Sequence, residues 1–145
     1  MTSLTTQAAM TTSQMPGVMP RRELRLTVVF HPDQSRIGAY AILCTRKVDE
    51  PYPINNLALG RHHPILSDGE ALSDNTINRQ AIILSDTPQG LLIKAAKPDA
   101  QVKIGPERSD RCCLANDEIT AGIAIQLGNA VVLLLREVTL FEPTT

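Results

Sequence analysis

The sequence predicts an all-β protein with one small folded domain. Short apolar runs rich in β-branched residues recur between turn residues. The spacing between these runs is too short for the helices of about 10–15 residues that a βαβ unit needs. The length of 145 residues allows one domain with a modest core plus tails. Because the chain has two Phe, two Tyr and no Trp, aliphatic side chains must fill that core.

The first strand is predicted to begin near Arg22. Residues 24–30 include a β-branched and aromatic run, which the turn residues 31–33 stop. The residues before this strand are dominated by Thr, Ser, Gln, Ala and Met and show the period of neither a strand nor a helix. A disordered N-terminal tail is therefore predicted over residues 1–22, and the folded domain over residues 23–138.

Five more strands follow in order, and each is bounded by turn residues. They are predicted at residues 37–45, 54–59, 77–84, 91–95 and 101–104. Breakers rich in Pro, Gly and Asp separate most of them, at residues 47–51, 88–90, 97–99 and 105–106. A longer turn-rich stretch lies before the strand at 77–84 and contains Pro64, Asp68, Gly69 and Asp74.

The last two predicted strands form a hairpin. Residues 119–127 and 130–138 flank Gly128-Asn129, a two-residue connection whose members tolerate positive φ. The run 130–135 lacks polar alternation, which indicates a strand that is buried on both faces or central in its sheet, with a buried helix as the alternative. The short length of the run and its β-branched residues favour the strand.

Charge and cysteine usage exclude several classes of protein. The formal net charge is −1 with acidic and basic residues interspersed, so no direct contact with nucleic acid is predicted. The longest apolar run is far shorter than the roughly 20 residues that cross a bilayer, so no membrane span is expected. Cys44, Cys112 and Cys113 are an odd number of cysteines, which favours a reducing compartment over a disulfide framework. A cytoplasmic location is therefore predicted.

Two dipeptides carry the strongest functional signal. Gly60-Arg61 ends the third predicted strand, and Asn78-Arg79 lies in the fourth. This pattern resembles the phosphothreonine-binding edge of a forkhead-associated (FHA) domain, whose motif opens with Gly-Arg and continues with Ser-Arg-x-His. Arg61 and Arg79 match that motif, whereas Asn78 stands at the serine and Ala81 at the histidine. The resemblance implies an FHA-like β-sandwich of two packed, mostly antiparallel sheets with about ten or eleven strands.

The order of four segments narrows the resemblance. Residues 26–33, 35–38, 71–79 and 130–135 together resemble the amino-terminal FHA-like domain of bacterial sigma-fifty-four-dependent transcription activators. In that family the domain precedes an AAA+ ATPase and a DNA-binding helix-turn-helix. Neither is expected in this chain, which has no Gly-x-x-x-x-Gly-Lys-Ser/Thr phosphate loop of an ATPase. Residues 139–145 are interpreted as the start of a linker to a missing domain, with the ATPase as a possible partner.

The resemblance gives three residues a candidate role in binding phosphate or a partner. Arg61 would bridge phosphate oxygens, with a solvated loop arginine as the equal alternative. Asn78 would donate its side-chain amide to a phosphate oxygen or cap the turn. Arg79 would steer an anion, although in this family an arginine there more often forms a structural salt bridge.

Other positions oppose phosphate capture. Ala81 replaces the histidine that braces the binding loops in the family, and residues 97–101 lack its Asn-Gly-Thr. Asp99 lies nearest to that asparagine, and its carboxylate would repel an incoming phosphate. The lysines that would compensate in part are Lys94, Lys97 and Lys103.

The sequence thus predicts a protein-recognition module, the regulatory domain of a sigma-fifty-four-dependent regulator. Its partner would be a protein or a phosphothreonine peptide. The alternative is a degenerate FHA domain with a structural or dimerising role and no phosphate binding.

Metal chemistry and catalysis are not predicted. The histidines and the adjacent cysteine pair lack the spacing that lets two ligands share one ion, so no metal or other cofactor is expected. Arg108 and Arg111 lie beside the pair Cys112-Cys113 and could lower a thiol pKa, although small, partly buried residues are the favoured interpretation. The chain has no Gly-x-Ser-x-Gly elbow and no recognisable catalytic triad.

Overall fold

The computed structural model describes residues 18–143, which fold as two packed antiparallel sheets. These residues form nine strands, one short α-helix and a 3-10 turn at Gln34–Arg36. In chain order the elements are β1 (Val18–Phe30), β2 (Tyr40–Lys47), β3 (Leu57–Leu59), β4 (Ile82–Thr87), β5 (Gly90–Ala95), β6 (Val102–Ile104), β7 (Arg111–Leu114), α1 (Asn116–Ala121), β8 (Ile123–Leu127) and β9 (Val131–Pro143).

The two sheets have five and four strands. The first has the order β2-β1-β9-β8-β6, and the second has the order β3-β4-β5-β7. All of the pairings between these strands are antiparallel. The predicted β-sandwich of two antiparallel sheets is therefore confirmed, although the described residues form nine strands, fewer than the ten or eleven expected.

Aliphatic side chains fill the space between the sheets. Along β1 the buried residues alternate, with Leu24, Leu26 and Val28 each 1% exposed or less. On β9 the buried residues are Val131, Leu133 and Leu135, and on the facing sheet they include Ile82, Leu84, Leu91 and Ile93. Because a strand turns successive side chains to opposite faces, this alternation aims one face of each sheet at a single core.

The run at 130–135 is a strand in the middle of the five-stranded sheet, as its composition predicts. Its second face is half-buried at Val132 and Leu134. The hairpin between β8 and β9 is also confirmed, with Leu127 paired to Val131. Its connection has three residues, 128–130, and only Gly128 among them has positive φ, at 61°.

The long strands extend further than the sequence predicts. Strand β1 begins at Val18, inside the predicted tail of residues 1–22, and β9 continues to Pro143, inside the predicted linker. Both extensions have one cause, because β1 and β9 pair along their whole length, from Val18 opposite Pro143 to Phe30 opposite Val132. The remainder of the predicted tail and the last two residues of the predicted linker lie outside the described residues.

Four predicted strands are wrong in part. Strand β2 begins at Tyr40 and β3 at Leu57, so residues 37–39 and 54–56 belong to loops. Strand β4 begins at Ile82, so residues 77–81 also belong to a loop. The segment predicted as a strand at 119–127 instead contains the end of α1, followed by β8. Glu118 starts the helix by accepting the Ala115 N–H at 2.9 Å, and Gly122 ends it with a φ of 95°. Strand β7, which contains the two adjacent cysteines, was not predicted.

Connections from both sheets meet at one end of the sandwich, here called the loop end. They are the segments 31–39, 60–81, 96–101 and 128–130. Hydrogen bonds join them: the Gly128 N–H donates to the Gln101 carbonyl at 2.9 Å, and the Asn129 N–H donates to Thr76 Oγ1 at 3.0 Å. The opposite end is closed by residues 48–56, 88–89 and 115–122 and contains a buried ionic cluster around Glu137.

Candidate functional site

An open groove at the loop end brings the three predicted site residues together. It has a volume of about 510 Å³ and is lined by Arg61, Asn78, Arg79, Gln80, Lys97 and Asp99. The residues come from the connection after β3, the loop before β4 and the loop after β5. Since rigid strands position each of these loops, the groove is a surface on which a ligand can be held in one orientation.

Arg61 is held by backbone carbonyls of the loop before β4. Its Nε donates to the Ile77 carbonyl at 2.8 Å, and its Nη2 donates to the Asn75 carbonyl at 3.1 Å. Its own backbone N–H donates to the Asn78 carbonyl at 3.0 Å. A guanidinium carries five N–H donors, so two bonds leave donors that are free to face a ligand. Arg61 is therefore not a freely solvated side chain, since two backbone carbonyls hold its guanidinium.

Gly60 lets the loop that bears Arg61 approach the loop before β4. A Cβ at this position would lie 2.5 Å from the Asn78 carbonyl oxygen and even closer to that of Arg79. The Gly60 N–H donates to the His63 carbonyl at 2.8 Å, which closes a tight turn. Only glycine permits this contact between the two backbones.

Asn78 and Arg79 lie in the loop before β4 rather than in a strand. The Asn78 side chain is half-buried and that of Arg79 is exposed. Within residues 18–143, neither side chain forms a hydrogen bond or an ion pair. The predicted alternatives, a turn cap for Asn78 and a structural salt bridge for Arg79, are therefore absent from the described part of the chain. Both side chains are available to a ligand.

The lysines predicted to offset Asp99 occupy three different places. Lys97 lines the groove together with Asp99. Lys94 lies in an adjoining cleft that shares Lys97 with the groove. Lys103 is on β6 and lines a separate depression beside the β8–β9 hairpin. Of these three lysines, Lys97 alone lines the groove with the Asp99 carboxylate.

Hydrogen bonds of Asp74 and Thr76 brace the loops around the groove. Asp74 accepts hydrogen bonds from the side chain and the backbone N–H of Thr76, and these bonds lower the pKa of its carboxyl. The same Thr76 hydroxyl accepts the Asn129 N–H, so the loop before β4 is tied to the β8–β9 hairpin. Ala81, where the family has its bracing histidine, is only 3% exposed and packs in the core.

A second set of hydrogen bonds joins the segment 31–39 to the segment 60–81 at the loop end. Arg36 is buried, and its guanidinium donates to Asp68 Oδ2 at 2.6 Å and to the Ala71 carbonyl at 2.6 Å. His31 is also buried and lies 3.1 Å from the Leu72 carbonyl through Nε2. Residues 31–38 and 71–74 both belong to the sequence segments that resemble the FHA-like domain of sigma-fifty-four-dependent activators. No local sequence pattern indicates that these two segments contact each other.

Within residues 18–143, no histidine or cysteine lines the groove. His31 serves the brace just described, and His62 and His63 are exposed beside Arg61. On β7, Cys112 is half-buried and Cys113 is exposed, as expected for adjacent strand residues. Burial raises the pKa of the Cys112 thiol, and the nearby Glu118 carboxylate adds to the increase. Between residues 18 and 143, no group of three or more His, Cys, Asp and Glu residues is arranged to hold a metal ion. No helix in the same part of the chain has the length and apolar character to span a bilayer.

No protein-family model matches the chain, and no curated protein matches it. Three chains of solved structures match it. One of them is the solution structure of the FHA domain of an Arabidopsis thaliana hypothetical protein. The two chains are 18% identical with a TM-score of 0.49, and the match covers 85% of this chain and 90% of the other.

Proposed function

We propose that the chain is an FHA-like protein-recognition module whose loop-end groove binds a phosphothreonine peptide. The supporting observation is that three cations, Arg61, Arg79 and Lys97, line one open groove with a single carboxylate, Asp99. None of the three cations forms an ion pair within the described residues. Three positive charges against one carboxylate repel one another in the free protein, and a phosphate would offset this repulsion.

Each groove residue then has a distinct role. Arg61 is oriented before binding, because its bonds to the Asn75 and Ile77 carbonyls fix its guanidinium, so little side-chain entropy is lost when it meets phosphate. The Asn78 amide supplies a neutral donor. Arg79 and Lys97 contribute charge that outweighs the repulsion from Asp99.

The proposed setting is a cytoplasmic bacterial regulator that depends on sigma-fifty-four. In that setting the AAA+ ATPase would be the neighbour whose assembly the module controls. Binding at the groove would change how the module packs on that ATPase, because a ligand shifts an equilibrium only when it prefers one of its two states. The module itself carries out no chemical step.

Calorimetric titration with a phosphothreonine peptide library and its unphosphorylated twin tests the proposal. We expect binding that requires the phosphate and weakens roughly threefold to tenfold in Arg79→Ala and in Lys97→Ala. Arg61→Ala should weaken binding further, but its loop bonds are also lost, so circular dichroism must accompany it. Lys47→Ala, at the opposite end of the sandwich, is the matched control and should bind normally. Equal binding of the two peptide twins would refute phosphate recognition.

The dimerising role is the second candidate function, and one observation favours it. The outer face of the five-stranded sheet exposes Phe30, Tyr40 and Ile42 at 49%, 41% and 46%. Register places them together, since Tyr40 is opposite Thr27, Thr27 is opposite Leu134, and Phe30 is opposite Val132. Two copies packed through this face would bury on the order of 1,000 Å² in total, the lower range for a specific interface.

Sedimentation velocity distinguishes this candidate from a monomeric reader. A concentration-dependent dimer that Ile42→Lys abolishes would support self-association through the sheet face. Ile65→Lys is the control, because Ile65 is 60% exposed but lies outside the strands. A chain that stays monomeric at all concentrations would exclude the dimerising role.

A further inference from the structure

We infer that His31 forms a proton-sensitive contact, which holds the loop segment 72–77 against Arg61 only while the imidazole ring is neutral. The His31 contact is the pair of hydrogen bonds that the ring forms with the Asp33 N–H and the Leu72 carbonyl. Imidazole is the side chain that ordinarily changes its charge between about pH 5 and 8, so such a contact responds to mild acid. The device is a property of the fold and does not require the proposed ligand.

Both ring nitrogens of His31 are engaged, and the residue is only 7% exposed. Nδ1 accepts the Asp33 N–H at 3.0 Å, so it carries no proton. The proton of the neutral ring is therefore on Nε2, which donates to the Leu72 carbonyl at 3.1 Å. A second proton would have to bind at Nδ1, where it would point at the Asp33 N–H. Because two donors cannot bond to each other, a charged ring cannot keep both hydrogen bonds.

Three charged side chains of the described segments act on the ring. Arg36 donates to the same Leu72 carbonyl at 3.4 Å, so a positive charge on His31 would lie beside a second one. Asp33 and Asp74 are near enough for a charge on His31 to act on their carboxyl groups. To bond to either carboxylate, the charged ring has to turn away from its present partners. Repulsion by the guanidinium and attraction by the carboxylates therefore both open the contact.

One short loop segment connects the His31 contact to Arg61. The Ser73 N–H donates to the Arg61 carbonyl at 3.0 Å, and the carbonyls of Asn75 and Ile77 accept from its guanidinium. Ser73 has a φ of 57°, a left-handed conformation that is unfavourable for a residue with a Cβ. The bonds around Ser73 hold it in this conformation, so loss of the bond at Leu72 lets the segment relax and releases Arg61 from its fixed position.

Acid favours the open contact, because the open form binds one more proton than the closed form. A single proton limits the change in the ratio of the two forms to about tenfold per pH unit. Arg36 keeps its bonds to Asp68 and the Ala71 carbonyl, each at 2.6 Å, and these do not involve His31. The opening is therefore confined to the segment 72–77 and leaves the sandwich folded.

Nuclear magnetic resonance of the nitrogen-15-labelled chain at about pH 7.5 and about pH 5.5 tests the contact. The nitrogen shifts of the His31 ring report which ring atoms carry protons. Hydrogen exchange at the amides of Asp33 and Ser73, corrected for the intrinsic effect of pH on exchange, reports whether the contact is closed. The Asp86 amide is the internal control, since it donates to the Ile54 carbonyl at 3.0 Å at the opposite end of the sandwich.

Two variants complete the test. His31→Asn cannot take up a proton, and its side-chain oxygen accepts the Asp33 N–H in the manner of an Asx turn, so it separates the loss of a bond from the gain of a charge. His62→Asn removes an exposed histidine beside Arg61 and is the matched control.

The neutral ring should carry its proton on Nε2 at the higher pH and a second proton on Nδ1 at the lower one. Protection at Asp33 and Ser73 should fall roughly threefold to thirtyfold with this change, within the limit of about 100-fold that one proton sets over two pH units. Protection at Asp86 should not change. His62→Asn should behave like the parent, and His31→Asn should show no such fall. A doubly protonated ring with unchanged protection, a ring that stays neutral throughout, or an equal fall in His31→Asn would each overturn the proposal.

Discussion

The Arg46 guanidinium and the Glu137 carboxylate form a buried ion pair that joins two strands of one sheet. Nε lies 3.0 Å from Oε2, and the two side chains are only 8% and 2% exposed. The Tyr52 hydroxyl donates to the same carboxylate, and its ring lies 4.2 Å from the Arg46 guanidinium. Arg22 adds a third donor at 3.1 Å. The cluster therefore ties β1, β2 and β9 to the connection between β2 and β3.

Glu137→Ala should destabilise the fold by about 3–5 kcal/mol, because it leaves the Arg46 charge buried without its partner. Urea unfolding followed by circular dichroism measures the change. Glu107→Ala, at an exposed loop position, is the matched control and should stay within about 0.5 kcal/mol of the parent. The double variant Arg46→Met/Glu137→Leu should recover most of the loss, since it removes both charges together. A single variant as stable as the parent would show that the pair contributes nothing.

The Glu137 carboxylate should make the free energy of unfolding depend on pH. Burial acts to raise the pKa of Glu137, but hydrogen bonds from Arg46 and Tyr52 outweigh it and hold the pKa below its ordinary value of 4.5. A group whose pKa is lower in the folded state contributes stability that is complete above its unfolded value and is lost as the pH falls through the folded one. The free energy of unfolding, measured at a series of pH values above and below 4.5, should fall steeply below pH 4.5. In the Arg46→Met/Glu137→Leu variant the decline should be shallower, and an unchanged slope would contradict the assignment.

Gly60→Ala should disturb the groove through steric overlap with the Asn78 and Arg79 carbonyls. We expect a loss of about 1–3 kcal/mol in stability, and weaker binding of any groove ligand. Gly69→Ala is an informative comparison, because Gly69 has a φ of 88° but no atom within 4 Å of an added Cβ. It should cost only the backbone strain, about 1 kcal/mol, and leave binding intact. Equal effects of the two substitutions on binding would mean that the loop contact is dispensable.

Thiol labelling should follow burial along the three cysteines. Cys113 is exposed and should react first, whereas burial raises the pKa of Cys44 to about 11 and leaves little thiolate at about pH 8. Cys112, with a raised pKa and a half-buried side chain, should fall between them. Reaction with a coloured disulfide reagent, repeated on each Cys→Ser variant, gives the order. Labelling at Cys44 as fast as at Cys113 under native conditions would contradict the packing described here.

The sequence correctly predicted those strands and turns whose conformation depends on neighbouring residues alone. The aliphatic run at 130–135 and the turn at Gly128 identified the β8–β9 hairpin, because a strand period and a positive φ are properties of the chain itself. The wrong predictions lie where contacts with distant segments determine the backbone conformation. Residues 77–81 look like the start of a strand, but the carbonyls of Ile77 and Asn78 accept bonds from Arg61 instead of from a neighbouring strand. The helix α1 was missed because its apolar residue, Ile119, continues into an equally apolar strand.

The residues of the candidate site could be selected from the sequence, but the contacts that hold its loops could not. Arg61, Asn78 and Arg79 were selected by resemblance to a motif, and the fold does place them along one groove. The bond from the Asn129 N–H to the Thr76 hydroxyl joins residues 53 positions apart, and no spacing rule contains it.

The pairing of Val18 with Pro143 also determines how the domain responds to force. The two long strands begin and end side by side, at the end of the sandwich away from the groove. Tension applied to the chain at Val18 and Pro143 would separate β1 from β9 one hydrogen bond at a time, starting at the end of the sandwich away from the groove. A bound peptide would thus be released late in any mechanical opening, and a tether attached at either strand would leave the groove unobstructed.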